Sequence, residues 1–404
     1  MTEVPDHLTR VLDVARPLPP LEVRLADAVG CVLAQDVYSD IDVPARDLAG
    51  QDGYAVRSRD VEGAGTTNPV QLRVLDDLRA GATNPGAIVD LTAVRIASGA
   101  PVPAGADAVI ALDDTDRGDA VVSIFRGAAP GENIRPAAAD IASGEVALSA
   151  GVRIDARHIA LLAGIGRNRV TVHPRPRVVV VSVGDELIEP GRPGSDGDVF
   201  DANGHALATA VQAAGGSTFR VAAVPDEHTH LRETLEDQLV RADLIITTGG
   251  LSYGANDTVK DVLSPLGTVR FDNVLIAPGR QFGVGEFDDA TPILCLPGDP
   301  VSAQIGFEVF VRPALLVMAG YAEIYRPTVS ARLASPWRSP AGRREFVPAR
   351  LSGRSGEYDV TPTGPVGAAH MSALAKANAL LIIPPHREVL DPGAMLNCMV
   401  LSEW

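Results

Sequence analysis

Three short segments carry residue types that could do chemistry together: Val183-Gly-Asp-Glu-Leu187, Thr247-Thr-Gly-Gly-Leu-Ser-Tyr-Gly254 and Leu296-Pro-Gly-Asp-Pro-Val-Ser302. Each follows an apolar run of strand length and places glycine where backbone must pass close to a ligand. Backbone amides exposed after a strand make a cradle for an anion, whereas carboxylates suit a divalent cation. The cradle candidates are Gly249, Gly250, Ser252, Gly254, Pro297, Gly298, Asp299, Pro300 and Ser302, and Glu186 is the first carboxylate. A single glycine at a strand end ordinarily only makes a turn. Three such loops on one sheet point instead to a phosphate or oxyanion site, since ligands of these sheets sit beyond the carboxyl ends of the strands.

Other candidates are ambiguous by themselves. Asp257 precedes Lys260-Asp-Val-Leu and reads equally as a helix cap or a ligand. Asp226, after Val224-Pro225, and Asp52, in Gln51-Asp-Gly-Tyr-Ala55, both read as turn carboxylates. The stretch from Ser98 to Val109 has the same turn-like character, and His228-Thr-His230 reads as a solvated turn. The eight histidines form no His-x-x-x-His pair, and no serine or cysteine sits in a nucleophile elbow.

The elements that must position these loops follow from periodicity. Leu8, Val11, Leu12 and Ala15 recur at helical spacing behind Asp6, read as an N-cap, and Pro17-Leu-Pro-Pro20 stops that helix. Residues 31–138 alternate short β-branched runs with glycine and proline turns, the pattern of a β-rich module. A second helix follows Asp155, with Ile159, Leu162 and Ala163 on one face. From Pro176 the pattern is β-α-β: strands at 178–183, 219–224, 244–248 and 293–296, with helices opening at Asp201, near Leu231 and near Ser302. Strands bounded by helices imply a doubly wound parallel sheet covered on both faces. After Arg326-Pro327 short strands return, suggesting a C-terminal β-barrel. The expected fold class is therefore α/β plus β, in several domains. A discontinuous helical linker region takes 1–30 and 139–173, the β-rich module 31–138, the α/β domain 174–322 and the barrel 323–404.

Composition narrows the partners. The chain has 404 residues and a formal net charge of −16, which opposes nucleic acid, whose phosphates demand basic patches. Small anions remain possible ligands, because helix N-termini and loop amides hold them locally. The longest apolar runs are far shorter than a membrane span, and Met1-Thr-Glu-Val-Pro-Asp lacks the pattern of a secretory signal, so a cytoplasmic protein off the membrane is expected. Cys31, Cys295 and Cys398 lie far apart in apolar surroundings and read as buried thiols. Only Lys260 and Lys376 are lysines, against many arginines.

Taken in order, the segments resemble the molybdopterin molybdotransferase family, the MoeA proteins and the gephyrin E domain. The matching pieces are Asp52-Gly-Tyr-Ala55, Ser98-Gly-Ala, Asp113-Asp-Thr, Asp140-Ile-Ala-Ser-Gly144, Gly184-Asp-Glu-Leu, Asp201-Ala-Asn203, Thr248 through Asp257, Leu296 through Ser302, and 367–378 with Ile383-Pro384. The resemblance covers nearly the whole chain. It implies an elongated homodimer that takes adenylylated molybdopterin and molybdate, uses Mg²⁺, releases AMP and leaves molybdenum on the dithiolene. It also implies an adenylyltransferase as upstream partner, and a cleft between the α/β domain of one subunit and the β module of the other. The family's acidic positions fall on Asp52, Asp140, Glu186, Asp226 and Asp257, and its hydroxyl position on Ser98. Glu186 and Asp257 are the candidate Mg²⁺ ligands, and the glycine loops with Arg280 would bind the pterin and its phosphate.

The chain departs from the family pattern at several points. Family lysines are replaced by Asn273 and Ala277, with Arg280 alone keeping charge in Ala277-Pro-Gly-Arg-Gln281. The asparagine of Pro-Gly-Asn-Pro is Asp299, the arginine of Glu-Phe-x-Arg is Pro348, a C-terminal serine is Ala368, and alanines stand at 138 and 139. Arg343, Arg344 or Arg350 are the candidate replacements for the lost cations. Rival readings are a non-catalytic molybdopterin-binding scaffold and a nucleotide-handling enzyme on the same α/β unit. Sequence does not separate molybdate from tungstate.

Overall fold

The structure is a computed structural model, which describes residues 1–251, 257–288, 291–354 and 356–402. By its internal contacts the chain forms two compact units. One comprises Met1–Glu22, Gly30–Ala34 and Thr171–Trp404; the other comprises Val23–Val29 and Gln35–Val170.

The N-terminal helix α1 (Val4–Val14) belongs to the first unit. It begins earlier than the Asp6 cap predicts, because Pro5 fits the first turn, where no amide is needed. Asp6 lies inside that turn, and Glu3 holds the cap position without a side-chain bond. The helix buries Val4, His7 and Val11, and His7 packs edge-on to Phe310 with centroids 4.8 Å apart. Helix α2 (Ala156–Gly164), expected to share a linker region with α1, lies in the second unit. Asp155 caps it as the sequence predicts, accepting from the amides of Arg157 and His158.

The second unit is built on a five-stranded sheet: β1 (Gly53–Val56), β2 (Val70–Leu78), β3 (Thr92–Ile96), β4 (Ala108–Ala111) and β5 (Val121–Ile124), in the order β4-β1-β3-β2-β5. Here the turn reading of Gln51–Ala55 fails beyond Asp52, since β1 is a fully buried inner strand. Gly53 opens it because a Cβ there would stand 1.9 Å from the Ile110 carbonyl oxygen.

In the first unit, β6 (Arg177–Ser182), β7 (Ser217–Arg220), β8 (Leu244–Thr248), β9 (Val269–Asn273), β10 (Gln281–Phe287) and β11 (Thr291–Leu296) form one sheet in the order β7-β6-β8-β11-β10-β9. β7, β6, β8 and β11 are parallel, β10 pairs antiparallel with β11, and the edge strand β9 pairs antiparallel with β10. The strand alternation splits β6 between two cores. Val178 and Val180 pack with Leu207, Val211 and Phe310 on one face, while Val179 and Val181 pack with Leu231, Leu235 and Val259 on the other. The covering helices are α3 (Ala202–Ala213), α4 (His228–Gln238), α5 (Thr258–Leu263) and α6 (Pro300–Met318). Helix α4 absorbs His228-Thr-His230, because the Glu227 carboxylate accepts from the Thr229 and His230 amides and so starts the helix before the apolar face begins. Helix α6 is 19 residues long, apolar and mostly buried, as befits a core helix. Its widened turn at Phe307–Val311 precedes Pro313, which has no amide to give to the preceding turn.

The chain then closes a five-stranded barrel from β12 (Thr328–Leu333), β13 (Arg344–Arg354), β14 (Glu357–Pro362), β15 (Ala379–Ile383) and β16 (Met395–Val400). The ring runs β13-β14-β12-β16-β15 and back to β13 through pairs such as Phe346 with Ile382. A short strand, Ile276–Ala277, lies parallel to the start of β13.

Candidate active site

The carboxyl ends of β6, β8 and β11 converge on a cavity of about 600 Å³. Glu186, Asp226, Gly249, Gly250, Arg280, Pro297, Gly298 and Asp299 all line it, so the expected three loops do meet. Pro300 and Ser302 stand back in the first turn of α6, and Ser302 is buried. Ser252 and Gly254 lie outside the described residues. The crossing of β6 and β8 is tight: Gly249 has φ +91°, and a Cβ there would meet the Val183 oxygen at 2.2 Å.

Asn203, which the sequence does not single out as a site residue, holds the loops together. Asn203, in the first turn of α3 behind the Asp201 cap, donates both amide hydrogens, to Thr248 Oγ1 at 2.9 Å and to the Gly298 oxygen at 2.8 Å. Thr248 Oγ1 in turn donates to the Pro297 oxygen at 2.8 Å. Asp201-Ala-Asn203 was visible as a motif, but only the fold shows that its amide bridges two other loops. Among the described residues the amides of Gly250 and Gly298 have no protein acceptor, which leaves two donors at the strand ends for an anion.

Two carboxylates, Glu186 and Asp226, line the same cavity as this cradle. A Cβ at Gly184 would come within 2.7 Å of the Glu186 carboxylate, so that side chain folds back over its own loop. The Asp226 amide donates to Asp185 Oδ1 at 2.9 Å, which fixes the loop, while Asp226 Oδ1 is buried with no hydrogen-bond partner. Asp257 is at the N-cap position of α5, yet its side chain makes no cap bond. Its Oδ1 is buried without a partner, and its Oδ2 is 3.8 Å from the Lys260 ammonium. Capping, one of the two readings open from sequence, is not what this carboxylate does. Asp257 is not among the described residues lining the cavity, and Val259, in the first turn of α5, packs on Gly250, which does line it. The pair sharing the cavity is therefore Glu186 with Asp226 rather than Glu186 with Asp257.

Asp299 departs from expectation in what it does. It caps α6, its Oδ2 accepting from the Ser302 amide at 2.8 Å and the Ser302 hydroxyl at 2.5 Å. Its charge is spent partly on a helix N-terminus rather than presented bare to an anion.

The remaining candidates are in the second unit. The Ser98 amide donates to Asp52 Oδ1 at 2.7 Å and its hydroxyl to the Gly50 oxygen at 3.3 Å. Asp52 lines a cavity of about 430 Å³ with Arg79 and Arg95. Asp140 is exposed and stands 3.5 Å from Arg135.

Apart from Asn273 and the alanines at 138 and 139, the sequence departures fall into two places that their spacing does not reveal. Arg280, Gln281 and Asp299 line the cavity at the strand ends. Ala277, Pro348 and Ala368 line a second cavity of about 370 Å³ between the Ile276–Ala277 strand, α6 and the barrel.

A doubly wound sheet with free amides at its carboxyl edge, carboxylates beside them and a β-barrel after it defines an α/β protein suited to a small anionic ligand. The description "probable molybdopterin binding domain" fits residues 179–317, "MoeA N-terminal region (domain I and II)" fits 2–166, and "MoeA C-terminal region (domain IV)" fits 330–401. The chain belongs to the MoeA family of molybdopterin molybdenumtransferases. It is 40% identical over 408 residues to molybdopterin molybdenumtransferase 2 of Mycobacterium tuberculosis, with 100% of both chains covered. Molybdopterin molybdenumtransferase 1 of the same organism is 38% identical over 424 residues, again with 100% of both covered. Two structures of the molybdopterin biosynthesis moeA protein from Pyrococcus horikoshii are similar to it with TM-scores of 0.85 and 0.78. They are 30% and 29% identical and cover 100% and 99% of this chain, and 100% of each is covered.

Proposed function

We propose that the chain is a molybdopterin molybdenumtransferase, which takes adenylylated molybdopterin and molybdate, cleaves the phosphoanhydride with water to release AMP, and leaves molybdenum on the pterin dithiolene. The observation that carries this reading is the cavity at the strand ends, where free glycine amides and Arg280 face Glu186 and Asp226. The amides and Arg280 bind the phosphate oxygens, and Asn203 keeps the two amide-bearing loops in register. Glu186 and Asp226 orient the attacking water, whose proton a carboxylate oxygen takes up. The relatives named are transferases, so the non-catalytic scaffold is not favoured.

Mg²⁺ fits this donor set in a limited way. The buried, unpartnered oxygens of Asp226 and Asp257 suit a cation, but among the described residues no three His, Cys, Asp or Glu side chains gather at one point. Such an ion would take one or two carboxylates from Glu186, Asp226 or Asp257 and complete its shell with phosphate and water, which is how Mg²⁺ is commonly held. It would supply charge neutralisation at the phosphoanhydride.

The reading extends to assembly: a cytoplasmic homodimer in which Asp52, Ser98 and Asp140 of one subunit complete the cavity of the other, supplied by an adenylyltransferase. The hydrogen bond from Ser98 to Asp52 supports this, because it presents the two as one preformed unit. The four-part division given above goes with that assembly. The deciding experiment incubates purified protein with adenylylated molybdopterin, molybdate and Mg²⁺ and follows AMP release and cofactor formation. No AMP above the protein-free rate would overturn the assignment.

A further inference from the structure

The connection between β9 and β10 brings Arg280 and Gln281 to the wall of the strand-end cavity. Arg280 is exposed, and among the described residues its guanidinium makes no hydrogen bond or ion pair. Its placement therefore depends on its backbone. That backbone is fixed where the Val274 amide donates to the Arg280 oxygen at 2.8 Å, next to the Asn273–Gln281 pair that closes the two strands.

The strand β9 is at the sheet edge, where backbone groups would otherwise lie open. The N-terminal segment covers this junction. Thr2 lies parallel to Val274, its amide donating to the Asn273 oxygen at 2.8 Å and its oxygen accepting from the Leu275 amide at 2.8 Å. The buried Asp272 carboxylate gathers side chains of the same segment: the Thr2 hydroxyl at 3.1 Å, His7 Nδ1 at 3.1 Å and Arg10 Nη1 at 2.6 Å. Arg270 Nε adds a bond at 3.0 Å from within β9. A buried carboxylate stripped of such donors is costly, so the segment and the base of the connection are held as one piece. All these residues belong to the first unit.

We propose that Thr2, Arg10 and Asp272 are positioning residues for Arg280: the N-terminal segment straps the β9–β10 connection so that the guanidinium is held at the phosphate of the substrate. The proposal rests on the reading of Arg280 as a phosphate-binding residue.

Thr2→Pro removes the amide and the hydroxyl together in the full-length protein. Hydrogen exchange of residues 273–281 becomes faster, while the inner strand β8 stays protected. Calorimetry with inorganic phosphate shows weaker binding by at least about threefold, and Thr2→Pro combined with Arg280→Ala binds no worse than Arg280→Ala alone. Arg10→Gln gives the same pattern at smaller size and Arg10→Lys does not, which keeps the test valid should Thr2→Pro fail to fold. Unchanged exchange at 273–281 in the folded variants overturns the proposal. So does a loss from Thr2→Pro that adds in full to that from Arg280→Ala, or no loss from Thr2→Pro where Arg280→Ala weakens binding. Phosphate binding untouched by Arg280→Ala itself overturns the phosphate-binding reading and the proposal with it, a failure seen in that single variant.

Discussion

Asp299→Asn isolates one charge at the strand-end cavity. The asparagine oxygen can keep the bond from the Ser302 amide, now 2.8 Å long, and asparagine is as good a cap as aspartate. What is lost is the attraction between a carboxylate and the α6 N-terminus, about 0.3–1 kcal/mol of stability. What is gained is relief of repulsion toward a bound anion. Two unit charges roughly 8 Å apart at an effective dielectric of about 20 interact by about 2 kcal/mol. The Ser302 donors and the helix end neutralise part of the carboxylate, so a net gain of about 1–2 kcal/mol is expected, roughly five- to thirtyfold in Kd. Calorimetry with molybdate, and with inorganic phosphate as a second oxyanion, measures it on both proteins. Ala277→Lys should leave this affinity unchanged, because Ala277 lines the other cavity. A change of less than about twofold in a folded Asp299→Asn protein would show that the carboxylate is already neutralised and that the electrostatic reasoning fails.

The other predictions test roles and coupling. Glu186→Ala and Asp257→Ala should each abolish AMP release with little loss of melting temperature, since neither side chain makes a cap bond. A loss of about 0.5–2 kcal/mol with full turnover would return Asp257 to a capping role. Mixing Asp52→Ala with Glu186→Ala subunits should restore part of the activity in heterodimers, and none in verified heterodimers would place each site within one chain. Burial holds His7 below its usual value, so its contribution to stability is complete above about pH 6.5 and is lost as pH falls toward the lowered value. The melting temperature should therefore drop between about pH 7 and pH 5, and His7→Asn should flatten that dependence; an unchanged slope refutes it. For Asp272, burial alone would raise the carboxyl, but bonds from His7, Arg270, Arg10 and Thr2 outweigh it and hold it at about 2. Its contribution is present above the ordinary aspartate range and lost only in strong acid, below the window that reports His7.

What the sequence determined by itself is mostly local. The strand Leu244–Thr248 and the helix capped by Asp155 stand where apolar spacing and cap chemistry put them, because those signals are complete within a few residues. The same local logic misread Gly53–Val56, whose glycine serves a neighbouring strand rather than a turn. It also misread His228-Thr-His230, where the Glu227 cap outweighs the polar character of the residues after it. The glycine loops were legible as an anion site, since three of them end strands of one sheet. Only the tertiary structure decided how these pieces combine. Asn203 and Gly298 are 95 positions apart in the chain, and nothing near either one announces that an amide of the first holds a carbonyl of the second. Ala277 and Arg280 are three positions apart and line different cavities, because Ala277 sits on the short strand paired with the barrel while the chain after it returns to the sheet at Gln281. Residue types and spacing specify which groups are available, while the packing of distant strands sets which of them share a desolvated space, and the charge balance of each cavity follows from that packing.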